Sequence, residues 1–489
     1  MNSLRRLGCF VLFSVIPAVA AEGITPDRSV PPRPEHARRF TVPTVFENRL
    51  PNGVRVLVVE RNKIPVVHVI WGVDAGASTD PPGLAGANAM LAELLARTVE
   101  SRGETLEQRL RARGVLLDVD VSRDRTWYSM QLPREQLEWS LRMLRRALVD
   151  PKFSDTSHRL VRQQMTNEMV QAQGDPERIR VLAEWVAAYG EGHPYGRPIG
   201  GNGGSLDAIE LEHLRALHRD RYRPENTYLV VSGDVRAEKL IPLLGDLLGG
   251  WKAAGPVPES GGSPAVASPP QRGVILVDLP ESSQAQISVV SPVADDAPPL
   301  NPGVSVMNTL LGGSAGSRLN RSLRGQYAYA YGASSQLEFR LQGGHMTART
   351  TVSLADAADA VRQLVLEVER MREEPAPDET ERGRRYLENG LLALFETNRS
   401  IARLRARIES LGIDQDVLPL FLAGIPEVRP PQVALAAKRC VNTEQMSIVV
   451  VGDRQALEKA LGKLGMGPVR SWSVDDLWGS ARGDTSTDN

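Results

Sequence analysis

The chain carries the same order of sequence segments twice, and this repeat limits the folds open to it. Each copy holds a Val-rich strand pattern, a Pro-Gly pair at a helical pattern, and a late strand that ends in Gly-Asp. The matched pairs are GVRVLVVE from Gly53 with GVILVDLP from Gly273, Pro82-Gly83-Leu84 with Pro302-Gly303-Val304, and Gly233-Asp234 with Gly452-Asp453. The first two pairs have an offset of 220 and the third has one of 219. Three matches in one order at nearly one spacing predict an internal duplication, folded as two similar domains.

The segments between and around the two copies set the predicted domain boundaries. The 489-residue length allows two to four domains at about 150 residues each. The stretch GPVPESGGSPAVASPPQR has the Pro, Gly and Ser content of a linker. We therefore predict a signal peptide at 1–21, a disordered leader at 22–44, an N-terminal domain at 45–254, a linker at 255–272, a C-terminal domain at 273–473 and a disordered tail at 474–489.

The segment 1–21 has the three parts of a secretory signal peptide. Arg5 and Arg6 form a short basic region, an apolar run follows, and Ala18-Val19-Ala20 supplies the small residues of a cleavage site. The other interpretation is an uncleaved anchor, which the proline and alanines before the cleavage site disfavour. Because no other apolar stretch approaches the ~20 residues of a membrane span, we expect an exported mature protein without a membrane span. In a Gram-negative bacterium its location would be the periplasm.

Composition narrows the functional classes. The sequence has 58 Lys and Arg against 59 Asp and Glu, so bulk electrostatics does not favour nucleic acid as a partner. Two cysteines in the whole chain exclude a disulfide scaffold and a Cys-rich metal module. Cys9 lies in the signal segment, which leaves Cys440 without a partner for an internal bridge.

The first copy contains strand and helix patterns in alternation. Val-rich or alternating runs predict strands at 46–60, 64–75, 115–132 and 226–234. Apolar residues at i, i+3 and i+4 predict helices at 83–100, 104–113, 134–149, 155–188, 205–221 and 236–249. This order favours an α+β fold in which helices cover one face of each sheet.

Several segments resemble the insulinase/pitrilysin family of zinc peptidases, in particular its two-domain, processing-peptidase-like members. PNGVRVLVVE and PVVHVIWGVDAGAS resemble the family's opening hairpin, and GHPYGRPIGG at 192–201 resembles its Pro-x-Gly-Arg-Pro loop. RYRPENTYLVVSGDV at 221–235 resembles the strand that closes each domain, and GSRLNRSLRGQYAYAY at 316–331 the family's Ser-Arg-Leu…Ala-Tyr segment. The resemblance covers roughly 42–475. It implies two homologous α+β domains, each a mostly antiparallel β-sheet covered by α-helices.

Catalysis in that family depends on an H-x-x-E-H motif, on the helix that follows the glycine of a Gly-Leu-Ala run. The two histidines bind zinc from one helical face, and the glutamate acts as base on the metal-bound water. In this chain the run at 83–85 is intact, but the motif is lost. By the resemblance, Gly86 and Met90 stand at the histidine positions and Ala89 at the glutamate position. We therefore expect the chain to bind no zinc and to have no catalytic residue of its own.

The resemblance places the family's third zinc ligand, a glutamate on a later helix, at Glu168. This residue follows Met90 by 78 positions. A single carboxylate is not a zinc site, and the alternative interpretation is an ordinary solvated helix residue. The seven histidines are scattered along the chain, and the sequence has no phosphate loop.

In active members of the family, the second domain supplies an arginine and a tyrosine at a spacing of seven that contact the substrate backbone. Arg324 and Tyr331 have this spacing here. A guanidinium and a phenol can both donate hydrogen bonds to a carbonyl oxygen that gains negative charge. The alternative interpretation is structural, because Tyr327, Tyr329 and Tyr331 alternate with alanines as on one face of a strand.

A chain that lacks the zinc ligands but keeps the Arg/Tyr pair is typical of a subunit that complements a zinc-bearing partner. Our first hypothesis is a non-catalytic subunit of an exported heterodimeric zinc metallopeptidase. It binds peptide or unfolded polypeptide, and a homologous partner with H-x-x-E-H supplies the zinc. The second hypothesis is a peptide-binding or scaffolding module with a peptidase fold and no proteolytic role. The third is a stand-alone peptidase with a relocated metal.

Overall fold

The computed structural model describes residues 41–98, 103–253, 255, 272–294 and 298–479. The segments predicted as signal peptide, as leader up to residue 40 and as linker between residues 256 and 271 lie outside this part of the chain, so these assignments stay predictions. Within the described part, no helix is both long enough and apolar enough to cross a membrane.

The first half of the chain forms a six-stranded sheet. Its strands are β1 (Phe46–Arg49), β2 (Arg55–Glu60), β3 (Val66–Val73), β4 (Leu116–Val121), β5 (Thr126–Pro133) and β6 (Thr227–Gly233). The order across the sheet is β1-β2-β6-β3-β5-β4, and only the β2–β6 pair is parallel among these described strands. The central strand β6 is buried along its whole length, as its run of apolar and β-branched residues requires. Strand β4 lies at the edge of the sheet and pairs with β5.

The second half forms a second six-stranded sheet. Its strands are β7 (Gly273–Asp278), β8 (Gln284–Pro292), β9 (Ala330–Arg340), β10 (Gly343–Ser353), β11 (Ser447–Gly452) and β12 (Val469–Ser473). The order across the sheet is β12-β7-β11-β8-β10-β9. Two described pairs, β12–β7 and β7–β11, are parallel and the other three are antiparallel. Both sheets are mostly antiparallel, which confirms the predicted α+β fold.

Five strands of each sheet follow the same order, so the two halves share one topology. The equivalent strands β6 and β11 end at Gly233 and Gly452, at the predicted offset of 219. Glu60 pairs with Gly233 and Asp278 pairs with Gly452, so Glu60 and Asp278 are equivalent positions. The structural offset between β2 and β7 is therefore 218, two positions less than the 220 that their sequences suggest. Because side chains alternate with a period of two, this shift keeps the same residues on the same face.

The Pro-Gly match of the two copies does not mark equivalent positions. Pro302 is the first residue of a helix that runs to Leu311. The corresponding helix of the first half starts at Ala87, and Pro82 lies in the turn before it. The match at this point is therefore a coincidence of spacing, and the repeat depends on the strands.

Helices surround both sheets. In the first half they are α1 (Ala87–Ala96), α2 (Leu106–Arg111), α3 (Leu137–Val149), α4 (Asp155–Gln173), α5 (Pro176–Tyr189), α6 (Gly203–Ala208), α7 (Leu211–Arg221) and α8 (Ala237–Leu248). In the second half they are α9 (Pro302–Leu311), α10 (Ala357–Arg370), α11 (Pro377–Leu392), α12 (Asn398–Ser410), α13 (Val417–Gly424), α14 (Pro430–Cys440), α15 (Arg454–Gly462) and α16 (Val474–Trp478).

The single helix predicted at 155–188 is two helices. Gly174 ends α4, and the side chain of Asp175 accepts hydrogen bonds from the backbone of Glu177 and Arg178 at the start of α5. Pro176 suits the first position of α5, because its missing N–H would have no intrahelical partner there. The break lets α5 leave the helices of its own half.

Each sheet is covered on one face by helices of its own half and on the other by a helix of the other half. Helix α5 packs on the second sheet, against β8 and β11. Helix α12 packs on the first sheet, where Ala402 and Ala406 contact the cluster around Ile70 and Val230. Each is the third α-helix after the hairpin of its half, β4–β5 or β9–β10, so the halves exchange equivalent helices. The prediction that helices cover one face of each sheet is therefore wrong.

A buried ion pair accompanies the exchange of α5. Arg180 pairs with Glu184 on the same helix, and both side chains are almost completely buried. Ser288 of β8 donates a hydrogen bond to Glu184 Oε1 (2.5 Å) and accepts one from Arg180 Nη1 (3.1 Å). Polar groups of the two halves therefore satisfy one another inside the interface.

Aromatic and basic side chains close the junction at the other end of α5. The Arg123 guanidinium lies 3.5 Å from the Trp185 ring centroid. His345 of β10 packs edge-on against Trp185 (4.5 Å between centroids) and its Nδ1 lies 3.3 Å from the Tyr189 hydroxyl. Burial, together with the nearby cations of Arg123 and Arg340, lowers the pKa of His345 to about 3. The imidazole is therefore neutral at pH 7.

The chain after residue 473 is ordered where the sequence predicts a disordered tail. Strand β12 pairs in parallel with β7, and α16 follows it directly at Val474. Ser473 and Asp476 form a capping box, each accepting a hydrogen bond from the other's backbone N–H. Leu477 and Trp478 are buried against α5. The prediction for 474–489 is thus wrong over 474–479, and residues 480–489 lie outside the described part.

Candidate functional site

Helix α1, which carries the three motif positions, begins in a backbone geometry that only glycine readily adopts. Gly86 is its N-cap, with a φ of 93°. A Cβ at this position would lie 3.0 Å from the backbone of Gly200 and Gly201. The buried carboxylate of Asp80 accepts hydrogen bonds from the N–H groups of Gly86 (2.7 Å) and Asn88 (2.8 Å). A histidine at position 86 would therefore require the 199–201 loop to move.

Burial dominates the electrostatics of Asp80. It raises the pKa of this carboxyl to about 6, against the lowering effect of its hydrogen bonds to Asn88 and Gly86. A carboxylate at a helix N-terminus complements the partial positive charge there, so Asp80 fixes the direction of α1.

Ala89 and Met90 have different surroundings. Met90 is fully buried and belongs to the core of the first half. Ala89 is half-buried and lines a cavity of about 510 Å³. Of the three motif positions, Ala89 alone contributes to the described wall of this cavity, which we call the α1 cavity.

Several elements build the α1 cavity. Helix α4 contributes Met165, Glu168 and Met169, and the edge strand β4 contributes Val119 and Val121. Ala172 of α4 and Arg123, which follows β4, also line it. The remaining lining residues come from α1, α5, α16 and the 198–201 loop: Ala89, Glu93, Glu177, Arg178, Val181, Leu182, Pro198, Ile199, Gly200, Gly201 and Trp478. The cavity has the size of a ligand pocket, for which ~300–1,000 Å³ is usual.

Three carboxylates line this cavity, and two of them, Glu93 of α1 and Glu168 of α4, affect each other's charge. Burial raises the pKa of Glu93, and the nearby negative charge of Glu168 raises it further. Arg97 lowers this pKa, since its Nε lies 3.5 Å from Glu93 Oε2. Glu168 accepts a hydrogen bond from Gln164 Nε2 at 2.7 Å. Glu168 and Ala89 therefore line one cavity, which agrees with the placement that the resemblance implies. The charged neighbour of Glu168 in this cavity is Glu93.

This set of donors does not fit a zinc ion. A catalytic zinc takes three protein ligands, with at least one histidine in the usual sets, and leaves the fourth position for water. Across the described ranges, no group of three or more His, Cys, Asp or Glu side chains is placed to hold a metal. Ala89 also provides no base.

Arg324 and Tyr331 lie together on the second half. The guanidinium carbon of Arg324 is 5.5 Å from the Tyr331 ring centroid, and Tyr331 is 93% exposed. Arg324 belongs to a π-helical segment, Asn320–Gln326, and Tyr331 is the second residue of the edge strand β9. The predicted pair is therefore a pair in space, facing solvent, and it does not line the α1 cavity.

The three alternating tyrosines do not form one strand face. Strand β9 starts at Ala330, so Tyr327 and Tyr329 precede it. Their rings stack on each other at 5.3 Å between centroids, and Ala328 between them has a φ of 55°. The strand interpretation is therefore wrong for these two residues, and Tyr331 is exposed on its own.

A second cavity lies next to the start of strand β9. It has a volume of about 400 Å³, and its wall includes Gly332, Ala333 and Ser334, which directly follow Tyr331. Glu177 at the start of α5 lines both this cavity and the α1 cavity. Helix α5 therefore contributes to both cavities, whereas neither Arg324 nor Tyr331 lines either of them.

Trp478 is the lining residue that the sequence interpretation missed. It comes from the segment assigned to a disordered tail, yet it is buried and lines the α1 cavity. The signal was present in Ser473-x-x-Asp476 ahead of Leu477 and Trp478, which is the pattern of a capped helix.

The fold and this site define a peptidase-like protein of two homologous halves in which the zinc-motif positions no longer hold ligands. Comparison with protein families agrees with this class. The family model described as Insulinase (Peptidase family M16) matches residues 55–202. The model described as Peptidase M16 inactive domain matches residues 208–387. The chain belongs to the insulinase, or M16, peptidase family, as its sequence predicts.

Individual relatives are distant. An uncharacterized zinc protease of Mycobacterium bovis is 24% identical over 320 residues, which are 64% of this chain and 71% of the relative. A probable mitochondrial-processing peptidase subunit beta of Schizosaccharomyces pombe is 24% identical over 214 residues, 43% of this chain and 47% of the relative.

Solved structures show the same fold. A peptidase M16 inactive domain from Pseudomonas fluorescens superimposes with a TM-score of 0.76 at 21% identity, covering 84% of this chain and 98% of that structure. A protease from Helicobacter pylori gives a TM-score of 0.76 at 18% identity, covering 84% of this chain and all of that structure (100%).

Proposed function

We propose that this chain is the non-catalytic subunit of an exported heterodimeric zinc metallopeptidase. It binds an extended peptide and presents Arg324 and Tyr331 to the zinc site of a homologous partner that carries H-x-x-E-H. The observation that carries the proposal is the exposed Arg324–Tyr331 contact in a chain whose own motif positions are Gly86, Ala89 and Met90.

The chemistry of the pair supports this role. Within the described residues no carboxylate forms an ion pair with Arg324, so its charge is available to a ligand. The neighbouring Tyr331 ring attracts the guanidinium and limits its orientations. Two donors aimed at one oxygen stabilise the negative charge that develops when water adds to a peptide carbonyl.

The edge strand β4 supports peptide binding. One side of β4 pairs with β5, and the backbone groups on its other side form no ladder with a described strand. Val119 and Val121 of this strand line the α1 cavity. A peptide that adds to β4 as a further strand therefore runs along the cavity, with main-chain hydrogen bonds for affinity and side-chain pockets for specificity.

The test is co-expression with a homologous chain that carries H-x-x-E-H, followed by a peptide-cleavage assay. We expect cleavage by the complex and none by either chain alone. Arg324→Ala and Tyr331→Phe should each lower kcat by about 100-fold, since loss of one donor to a developing oxyanion has an effect of this order. Tyr386→Phe, at an exposed tyrosine of α11, is the matched control and should leave kcat unchanged.

Two outcomes contradict the proposal. One is a complex that keeps full activity with both substitutions, and the other is the absence of any complex. A chain that binds peptide without a zinc-bearing partner would be a peptide-binding module. Export is tested separately by mass spectrometry of the mature N-terminus, where we expect cleavage after Ala20 or Ala21.

A further inference from the structure

The wall of the α1 cavity near α5 is completed by a residue from the far end of the sequence. Trp478 of α16 lines the cavity and packs in one cluster with Met169 of α4 and Val181 of α5. Its side chain is only 5% exposed.

Trp478 lies close to the end of the described residues, yet regular structure positions it. Strand β12 anchors the segment to the edge of the second sheet, where Trp472 is in register with Val277 of β7. The capping box between Ser473 and Asp476 then starts α16. Gly479 ends the helix with a φ of 73°, which is a usual C-terminal geometry for glycine. The second half therefore contributes a fixed wall to a cavity of the first half.

The edge strand β4 forms another part of the cavity wall. Val119 and Val121 alternate with Asp120 and so lie on the same face of the strand. A peptide paired with β4 directs every second side chain to that same face. One of these side chains would enter the space between β4 and Trp478, where Met165, Met169 and Val181 are its apolar neighbours.

We propose that the α1 cavity binds one large apolar side chain, aromatic or aliphatic, of an extended peptide, and that Trp478 is the residue that determines this specificity. The inference rests on the proposed peptide-binding function and adds the class of side chain. The indole offers an apolar face for packing and an N–H for a carbonyl of the peptide. A basic side chain is the rival occupant, because Glu93, Glu168 and Glu177 line the same cavity.

The experiment measures the affinity of the purified mature chain for a set of short fluorescent peptides of equal length. These peptides differ at one central position, which is Ala, Leu, Phe or Lys. We expect Phe and Leu to bind about 10- to 100-fold more tightly than Ala, the effect of burying one large apolar side chain, and Lys to bind like Ala. Trp478→Ala should lower the Phe-to-Ala ratio by about 5- to 10-fold, and Trp478→Phe should restore most of it.

Leu477→Ala is the matched control, because Leu477 is the neighbouring buried residue of α16 but does not line the cavity. It should destabilise the same helix without changing the Phe-to-Ala ratio. The indole N–H resonance of Trp478, assigned by its loss in Trp478→Phe, should shift on addition of the Phe peptide.

The outcomes separate this inference from the function on which it rests. If the wild-type chain binds none of the peptides, both fall. If it binds them and Trp478→Ala leaves the Phe-to-Ala ratio unchanged, or if the Lys peptide binds most tightly, only the role of Trp478 and the apolar pocket is refuted.

Discussion

Replacing Glu184 by alanine tests whether the exchanged helix α5 holds the two halves together. The substitution leaves Arg180, which is 1% exposed, with a hydrogen bond to Ser288 and an ion pair to the exposed Glu177. Removing one partner of a buried ion pair costs about 3–5 kcal/mol, because the remaining charge is left in a poorly solvated site. Because Arg180 keeps its ion pair with Glu177, we expect the loss of stability to be at the lower end of this range, about 3 kcal/mol.

Native-state hydrogen exchange is the suitable assay, because a chain with two cores need not unfold in a single step. The amides of α5 and β8 should exchange about 100-fold faster in Glu184→Ala, which is the loss of about 3 kcal/mol expressed as a rate. The double variant Arg180→Met/Glu184→Leu should recover most of the protection, because matched apolar residues commonly replace a buried ion pair at little or no cost.

Glu138→Ala is the control for this prediction. Glu138 pairs with Arg142 at 2.7 Å on the exposed face of α3, and both side chains are more than half exposed. Its loss should change stability by less than about 1 kcal/mol. The reasoning is refuted if Glu184→Ala has an effect as small as this control, or if the double variant exchanges as fast as the single one.

Three further predictions concern other parts of the chain. The pKa of His345 falls from 6.5 to about 3 on folding, so its contribution to stability is present above pH 6.5 and is lost as the pH falls towards 3. His345→Gln should therefore flatten the decline of Tm between pH 6.5 and about pH 4. Parallel curves of Tm against pH for the two proteins would contradict this prediction. The triple variant Gly86→His/Ala89→Glu/Met90→His should lower Tm and bind no stoichiometric zinc in equilibrium dialysis. The reason is that residue 86 has a positive φ and that a Cβ there would lie 3.0 Å from the backbone of Gly200 and Gly201. One zinc per chain at unchanged Tm would contradict this prediction. Ala406→Leu overfills the contact of α12 with the first sheet and should lower the free energy of unfolding by about 1–3 kcal/mol. The control is Ala393→Leu at an exposed alanine, and Tm should be lower for Ala406→Leu than for this control. Equal Tm values would contradict the prediction.

Much of the fold was predictable because local patterns repeat. The Val-rich strands and their glycine ends occur twice, and they correspond to strands of the same order in the two sheets. The partners of α5 were not predictable in this way. Its apolar residues recur with helical spacing whichever sheet they cover, so periodicity alone assigns it to its own half. The capping signal at Asp175 and Pro176 marks the break but not the direction that the chain takes after it.

The site was predictable to a similar extent. The spacing of Arg324 and Tyr331 and the replacements at Gly86, Ala89 and Met90 were visible in the sequence, through its resemblance to a known family. Their surroundings were not, because contacts between residues hundreds of positions apart leave no local pattern. Trp478, from the last described helix, lines the same cavity as Ala89, from the first.

The sequence by itself determined that the chain is a duplicated α+β protein of the insulinase family without H-x-x-E-H, because strand and helix periodicity and motif residues are local properties of the chain. Only the tertiary structure decided that the halves exchange α5 and α12, that Gly86 is held in a conformation closed to histidine, and that Trp478 completes the α1 cavity. These three features depend on which apolar surfaces cover one another. Burial of apolar surface is non-directional, so the choice among equally apolar partners is made by shape and packing in the assembled fold.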